Sequence, residues 1–213
     1  MRCFSVDPVV KKNKTHPSGA YINSRARSGG PMSGALLLGG ILGTTFLLGA
    51  CAVIPKPGPV GNRAVPEPEK AVDIRKYMGL WYEQFRYENA FEKHMDEVTA
   101  RYVMNDNGTV RVINRGKTKQ GKWKQSTGRA RVTPNTEAAK LRVSFFFPFY
   151  GNYWILDHDS DYSWSIVGEP SGRYLWILTR DQHPSPDLLI RIEARVKDLG
   201  YNWSLIRPTR QAR

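Results

Sequence analysis

Cysteine is nearly absent. Only Cys3 and Cys51 occur in 213 residues. If Cys3 leaves with a leader, Cys51 is alone and cannot be half of an internal disulfide, so it has another task. Long apolar runs are lacking too. The stretch "ALLLGGILGTTFLLGA" (Ala35 to Ala50) is broken by four glycines and two threonines, and it falls short of the ~20 apolar residues a bilayer span needs. Acids are scarce, with 19 Asp and Glu against 32 Lys and Arg and a net charge of +13. That surplus favours anionic partners such as membrane headgroups, lipopolysaccharide or nucleic acid. Catalytic signatures are missing: there is no Gly-x-Ser-x-Gly, no His-Glu-x-x-His and no glycine-rich phosphate loop. "DHDSD" (Asp157 to Asp161) copies the first half of a calcium loop, yet Tyr162 stands where glycine is required and Gly168 where a bidentate glutamate is required. His94, His158 and His183 are scattered along the chain. These absences predict no catalytic residues, no metal and no cofactor.

What is present begins with a leader. Basic residues precede the apolar run and small residues close it, which is the layout of a signal peptide over residues 1–50. Met32 as the true start would leave no Lys or Arg ahead of the run, and an uncleaved anchor is the competing reading. The first fifty residues hold six Lys or Arg and one acid, so a product starting at Cys51 would carry 13 − 5 = +8. "LLGAC" resembles the bacterial lipobox, in which the peptide is cut before the cysteine and that residue is acylated. The resemblance makes Cys51 a lipid anchor, and Ala52 after it fits export to the outer membrane. The following stretch, rich in Pro and Gly, reads as an extended tether over residues 51–71.

From Val72 the pattern changes. "LWYEQFRYE", "VTARYVMN", "TVRVINRG", "WKQSTGRARVT", "KLRVSFFF", "NYWILDHD", "YSWSIVG" and "RYLWILTR" are eight candidate strands. "NDNG" and "EPSG" punctuate them as hairpin turns. Such spacing argues for an antiparallel barrel or sandwich. In "SPDLLIRIEARVKDLG", Leu188, Leu189, Ile192, Val196 and Leu199 share one helical face, with Ser185 or Asp187 as the cap and Gly200 as the stop. A short strand over residues 202–207 closes the fold. The boundaries predicted are a domain over residues 72–208 and a basic tail over 209–213.

Three motifs in order carry a family resemblance. "KYMGLWYEQFRYENAFEK", with Gly79 and Trp81, resembles the opening lipocalin motif; "VSFFFPFYGNYWILDHD" resembles a mid-barrel segment; "YLWILTR" resembles the last strand, ending in Arg180. The chain is similar to bacterial outer-membrane lipocalin lipoproteins of the Blc type from Asp73 to about Pro208. The resemblance implies an all-β fold, an eight-stranded antiparallel up-and-down barrel with a C-terminal helix packed outside and a short final strand. It implies a fatty acid or lysophospholipid ligand, serving membrane maintenance under stress. It also implies a membrane anchor through acylated Cys51 on the periplasmic side of the outer membrane, no nucleic-acid partner, and room for a homodimer. The family's central Thr-Asp-Tyr stands here as His158-Asp159-Ser160, which leaves Asp159 as the shared residue.

With Trp81 and Arg180 pointing inward as the family implies, strand alternation sets the rest. The expected lining is Phe85, Tyr87, Tyr102, Val112, Val143, Phe145, Tyr153, Ile155, Tyr174 and Trp176, accompanied by Glu83, which cannot be buried cheaply as a lone charge. An eight-stranded barrel is just wide enough for one small ligand. Arg115, Lys117, Lys119 and Lys122 are expected at the rim, placed to meet an anionic head or simply solvated. A packed barrel acting as a tethered adaptor, and a lipid-modifying enzyme in the same shell, are the rival readings.

Overall fold

The computed structural model describes residues 58–213. Leader, lipobox and Cys51 lie outside those residues. Among the described residues no helix is long and apolar enough to cross a membrane.

A short helix α1 (Ile74–Tyr77), capped by the Asp73 carboxylate, leads into β1 (Gly79–Tyr87). Then come β2 (Asp96–Met104), β3 (Val110–Lys117), β4 (Trp123–Val132), β5 (Lys140–Phe146), β6 (Phe149–His158), β7 (Trp164–Gly168) and β8 (Leu175–Thr179). Each of these strands pairs antiparallel with the next, and β1 pairs with both β8 and β2, which closes the barrel. The two turns read from the sequence form as expected. Gly108 and Gly172 take positive φ of 75° and 63°, and their N–H groups donate to Asn105 and Glu169 carbonyls. The helix α2 (Pro186–Asp198) starts at Ser185, whose side chain accepts from Leu188 N, and Gly200 follows its end with a φ of 83°. The closing strand is shorter than predicted. Asn202 caps a 3-10 turn (Trp203–Leu205), so only Ile206–Pro208 remains as β9.

Apolar side chains separate into two clusters. An inner one includes Trp81, Tyr102, Val112, Leu141, Ile155 and Leu178. An outer one lies between the barrel wall and α2, where Ile192 and Val196 meet Ile166, Leu175 and Ile177.

One irregularity decides which residues belong to which cluster. Along β1 the register with β8 slips between Glu83 and Phe85, leaving Gln84 as a bulge. A one-residue insertion reverses the facing of everything beyond it. Phe85 therefore pairs with outward-facing Ile177 and packs on Trp203 at 5.4 Å between ring centres, and Tyr87 donates to Asn202 O. The expectation that Phe85 and Tyr87 line the interior is thus corrected: both serve the outer cluster. Arg86 is turned inward in their place and is wholly buried.

Both flanks of the domain are also packed on it. Gly61 N and Asn62 N donate to Gly172 O, Asn62 Nδ2 donates to Leu199 O, and Lys70 pairs with Asp157 at 2.7 Å. The described part of the stretch expected as an extended tether is thus held along the barrel from Gly58 onward, which is why no side chain fits at Gly172: a Cβ there would collide with the Asn62 backbone. The expected basic tail is a seam. β1 pairs with β2 only through Gly79 to Tyr82, and beyond that point Thr209, Arg210 and Gln211 bridge the two strands through Gln84 O, Glu97 N, Glu83 O and Val98 O. Among the described residues every strand finds its partners and both clusters close within residues 58–213.

Candidate functional site

One end of the barrel is shut. Arg180, where β8 ends, lays its guanidinium 3.8 Å from the Trp81 ring centre and donates to the Leu80, Lys76 and Met78 carbonyls. The contact combines cation–π attraction with hydrogen bonds from three of the guanidinium's five N–H donors. Gly79 makes room for it, with a φ of 100° and a Cβ position only 3.2 Å from Arg180 Nη1. Above this plug lies a polar but uncharged layer. The Tyr153 hydroxyl sits 2.7 Å from that of Tyr102 and 3.0 Å from that of Tyr77, which in turn reaches Ser165 Oγ at 3.1 Å. Burial pushes Tyr77 up to about 12 and holds Tyr102 and Tyr153 well above the usual phenol value, so all three stay neutral at any physiological pH.

Over that layer opens a cavity of about 520 Å³, within the ~300–1,000 Å³ range of small-molecule sites. Its walls are mostly apolar and aromatic. Of the residues expected to line it, Tyr102, Val112, Val143, Phe145, Tyr153, Tyr174 and Trp176 do. Ile155 faces inward but sits in the packed layer with Val167, and Phe85 and Tyr87 are outside, as described above.

Sequence alternation missed the mouth. Phe91 from the β1–β2 loop and Phe146 and Phe149 from the β5–β6 hairpin join the lining, with Tyr174 stacked on Trp176 at 5.7 Å. Phe91 lies on a loop, which has no strand parity, and the β5–β6 register slips between Val143 and Phe146, so only the density of "FFFPF" hinted at Phe146 and Phe149. The charged lining residues are Glu83, Glu92 and Glu169, with no cation among them. Glu92 accepts from Trp176 Nε1 at 2.9 Å. Glu83 receives Arg86 Nη1 at 2.6 Å and also the Thr209 hydroxyl. Burial dominates its surroundings, and with Glu92 nearby it lifts the Glu83 carboxyl to about 8 despite Arg86.

Rim cations stand apart from this cavity. Lys117 pairs with Glu97 at 2.9 Å, Arg115 stacks on Trp123 at 4.0 Å, and Lys119 and Lys122 are exposed. At the closed end, Asp159 braces the β6–β7 turn by accepting from Ser160 N and Ser163 Oγ. His158 supports the same turn by stacking on Tyr162 at 4.5 Å. Asp157 is taken by Lys70 and Arg195; burial alone would raise its carboxyl, but those two cations hold it below the usual range. The carboxylates of the apparent calcium loop thus serve different partners, and no group of three metal-ligating side chains occurs among the described residues.

Residues 72–211 match the Lipocalin-like domain family. The outer membrane lipoprotein Blc of Escherichia coli K12 is 43% identical over 109 residues, 51% of this chain and 62% of that protein. The Vibrio cholerae protein of the same name is 34% identical over 147 residues, 67% of this chain and 86% of its own length. Among solved structures, insecticyanin from the tobacco hornworm Manduca sexta superposes with a TM-score of 0.59 at 17% identity, covering 73% of this chain and 88% of that one. The chain thus spans less than two thirds of the E. coli relative's length.

Proposed function

The chain belongs to the lipocalin family, and from that premise we propose that it binds and carries a single-chain lipid, a fatty acid or lysophospholipid, with the acyl tail in the barrel. The observation that carries this reading is the cavity. Its walls are apolar, its floor is a layer of neutral phenols, and its mouth is aromatic. An acyl chain of about sixteen carbons gains ~0.8 kcal/mol per buried CH₂, near ~12 kcal/mol in full. Association and ordering take back ~4 kcal/mol or more, which leaves at most ~8 kcal/mol and a Kd of about a micromolar or weaker.

The charged lining refines the ligand. With carboxylates and no cations on the wall, an ammonium-bearing lysophospholipid head is favoured over a bare carboxylate. Cys51 anchors the protein through acyl chains to the outer membrane on its periplasmic face, a reading supported by the lipobox resemblance and by the names of its relatives. The protein acts as a carrier and not as an enzyme. A chain-length series on residues 58–213 tests the proposal. Affinity should rise steadily with each added CH₂, lysophosphatidylcholine should outbind the fatty acid of equal length, and Trp176 fluorescence should report occupancy. Flat or absent binding across the series would leave the tethered-adaptor reading.

A further inference from the structure

The outer face of β3 to β5 carries arginines where a sheet should avoid them. Arg111 on β3 lies directly opposite Arg129 on β4, and Arg131 on β4 lies directly opposite Arg142 on β5. Like charges in facing positions destabilise a sheet. All four are exposed, and among the described residues none has an acidic partner within salt-bridge distance. The two pairs lie beside the β2–β3 and β4–β5 turns, and the depression bordered by the first pair runs from Asn105 and Asn107 to the β5–β6 hairpin at the mouth. Arg111 and Arg129 share one shallow depression with Phe147, which is 85% exposed at the tip of the β5–β6 hairpin.

We propose that this arginine wall and the Phe147 tip form a docking surface for an anionic bilayer leaflet, which sets the cavity mouth against the lipid. The chemistry selects that occupant. Paired cations need a dense array of phosphates, and a protruding phenyl beside them needs an apolar layer just beneath; a leaflet offers both at the required depths. The first fifty residues hold six Lys or Arg and one acid, a net charge of the same sign as the wall's. A second copy would bring the same cations. This surface is separate from the ligand cavity, which neither Arg111, Arg129 nor Phe147 lines.

Co-flotation of residues 58–213 with phosphatidylcholine vesicles, with and without phosphatidylglycerol, tests it. The parent should bind the anionic vesicles preferentially, and salt should weaken that binding. Arg111→Gln with Arg129→Gln should lower vesicle affinity about tenfold or more, at ~1 kcal/mol per surface arginine, while the melting temperature stays level or rises as the facing charges are relieved. Phe147→Ser should lower affinity by about tenfold through the lost phenyl burial. Both variants should capture a fluorescent lysolipid from solution as the parent does. Equal binding of the parent to neutral and anionic vesicles would overturn the inference. So would parent-like affinity in either variant, or duplex DNA bound as tightly as the anionic vesicles. Failure of lysolipid capture by the parent would instead sink the carrier reading and leave the vesicle result to stand by itself.

Discussion

At the scale of single residues, Glu83 shows how the barrel handles a misfit. A carboxyl fully inside the wall is tolerable because Arg86 and Thr209 satisfy it and because burial raises it to about 8. The sign of the consequence is clear. In the unfolded chain the group loses its proton near 4.5, whereas the folded protein keeps it to about 8. Across that window the folded state binds more protons, so Glu83 subtracts stability as pH rises. Thermal melts between these limits should show this loss, and Glu83→Gln, which has no proton to lose, should flatten the slope. Asp96 and Asp157 act in the opposite sense. Arginine and lysine partners hold them below the usual range against the effect of burial, so their contribution is lost as pH falls through the acid region.

At the scale of the element, β1 does two jobs because of one bulge. Before Gln84 its inward side chains belong to the floor and cavity; after it, the apolar ones belong to the cluster under α2. Two phenylalanines separate these jobs experimentally. Phe85→Ala removes a half-buried ring from the outer cluster and should cost about 1–3 kcal/mol of stability with ligand affinity unchanged. Phe145→Ala removes a ring from the cavity wall and should weaken lysolipid binding roughly tenfold or more, with a smaller effect on the melt. Titration and melting of both variants would expose an error, since equal losses of affinity would return Phe85 to the cavity.

At the scale of the whole molecule, the barrel is finished by its ends. β1 and β2 part company after Tyr82, and the last residues of the chain fill the gap. Removing residues 209–213 would strip Thr209 from the buried Glu83–Arg86 pair and Gln211 from two strand carbonyls. Glu83 and Arg86 keep each other, but the buried groups that lose Thr209 and Gln211 cost about 1–3 kcal/mol each, or about 3 kcal/mol or more together. A melt of the truncated domain should therefore drop by roughly 10 °C, at ~2–4 °C per kcal/mol for a domain this size. An unchanged melt would show that the tail merely lies over a closed seam.

Much of this protein follows from local pattern. Eight strands, their hairpin turns and the capped amphipathic helix rest on alternation and turn chemistry, which act over a few residues and are written directly in the chain, whereas the Trp81–Arg180 pair follows from the family resemblance. Tyr102, Val112, Val143 and Trp176 reach the cavity because their strands keep an unbroken period of two where they line it. The exceptions arose where distant segments set the outcome. The bulge at Gln84 depends on how β1 pairs with β8, nearly a hundred positions away, and nothing in "EQFRY" announces the slip. Phe91 joins the cavity only when its loop folds over the mouth beside Tyr174. Gly58 to Ala71 and the last residues dock because barrel closure presents backbone partners at Gly172, Gln84 and Val98. Periodicity therefore determined the elements and most of their facing, whereas closure of the barrel decided register, seam and mouth, because those depend on partners that only the folded chain brings together.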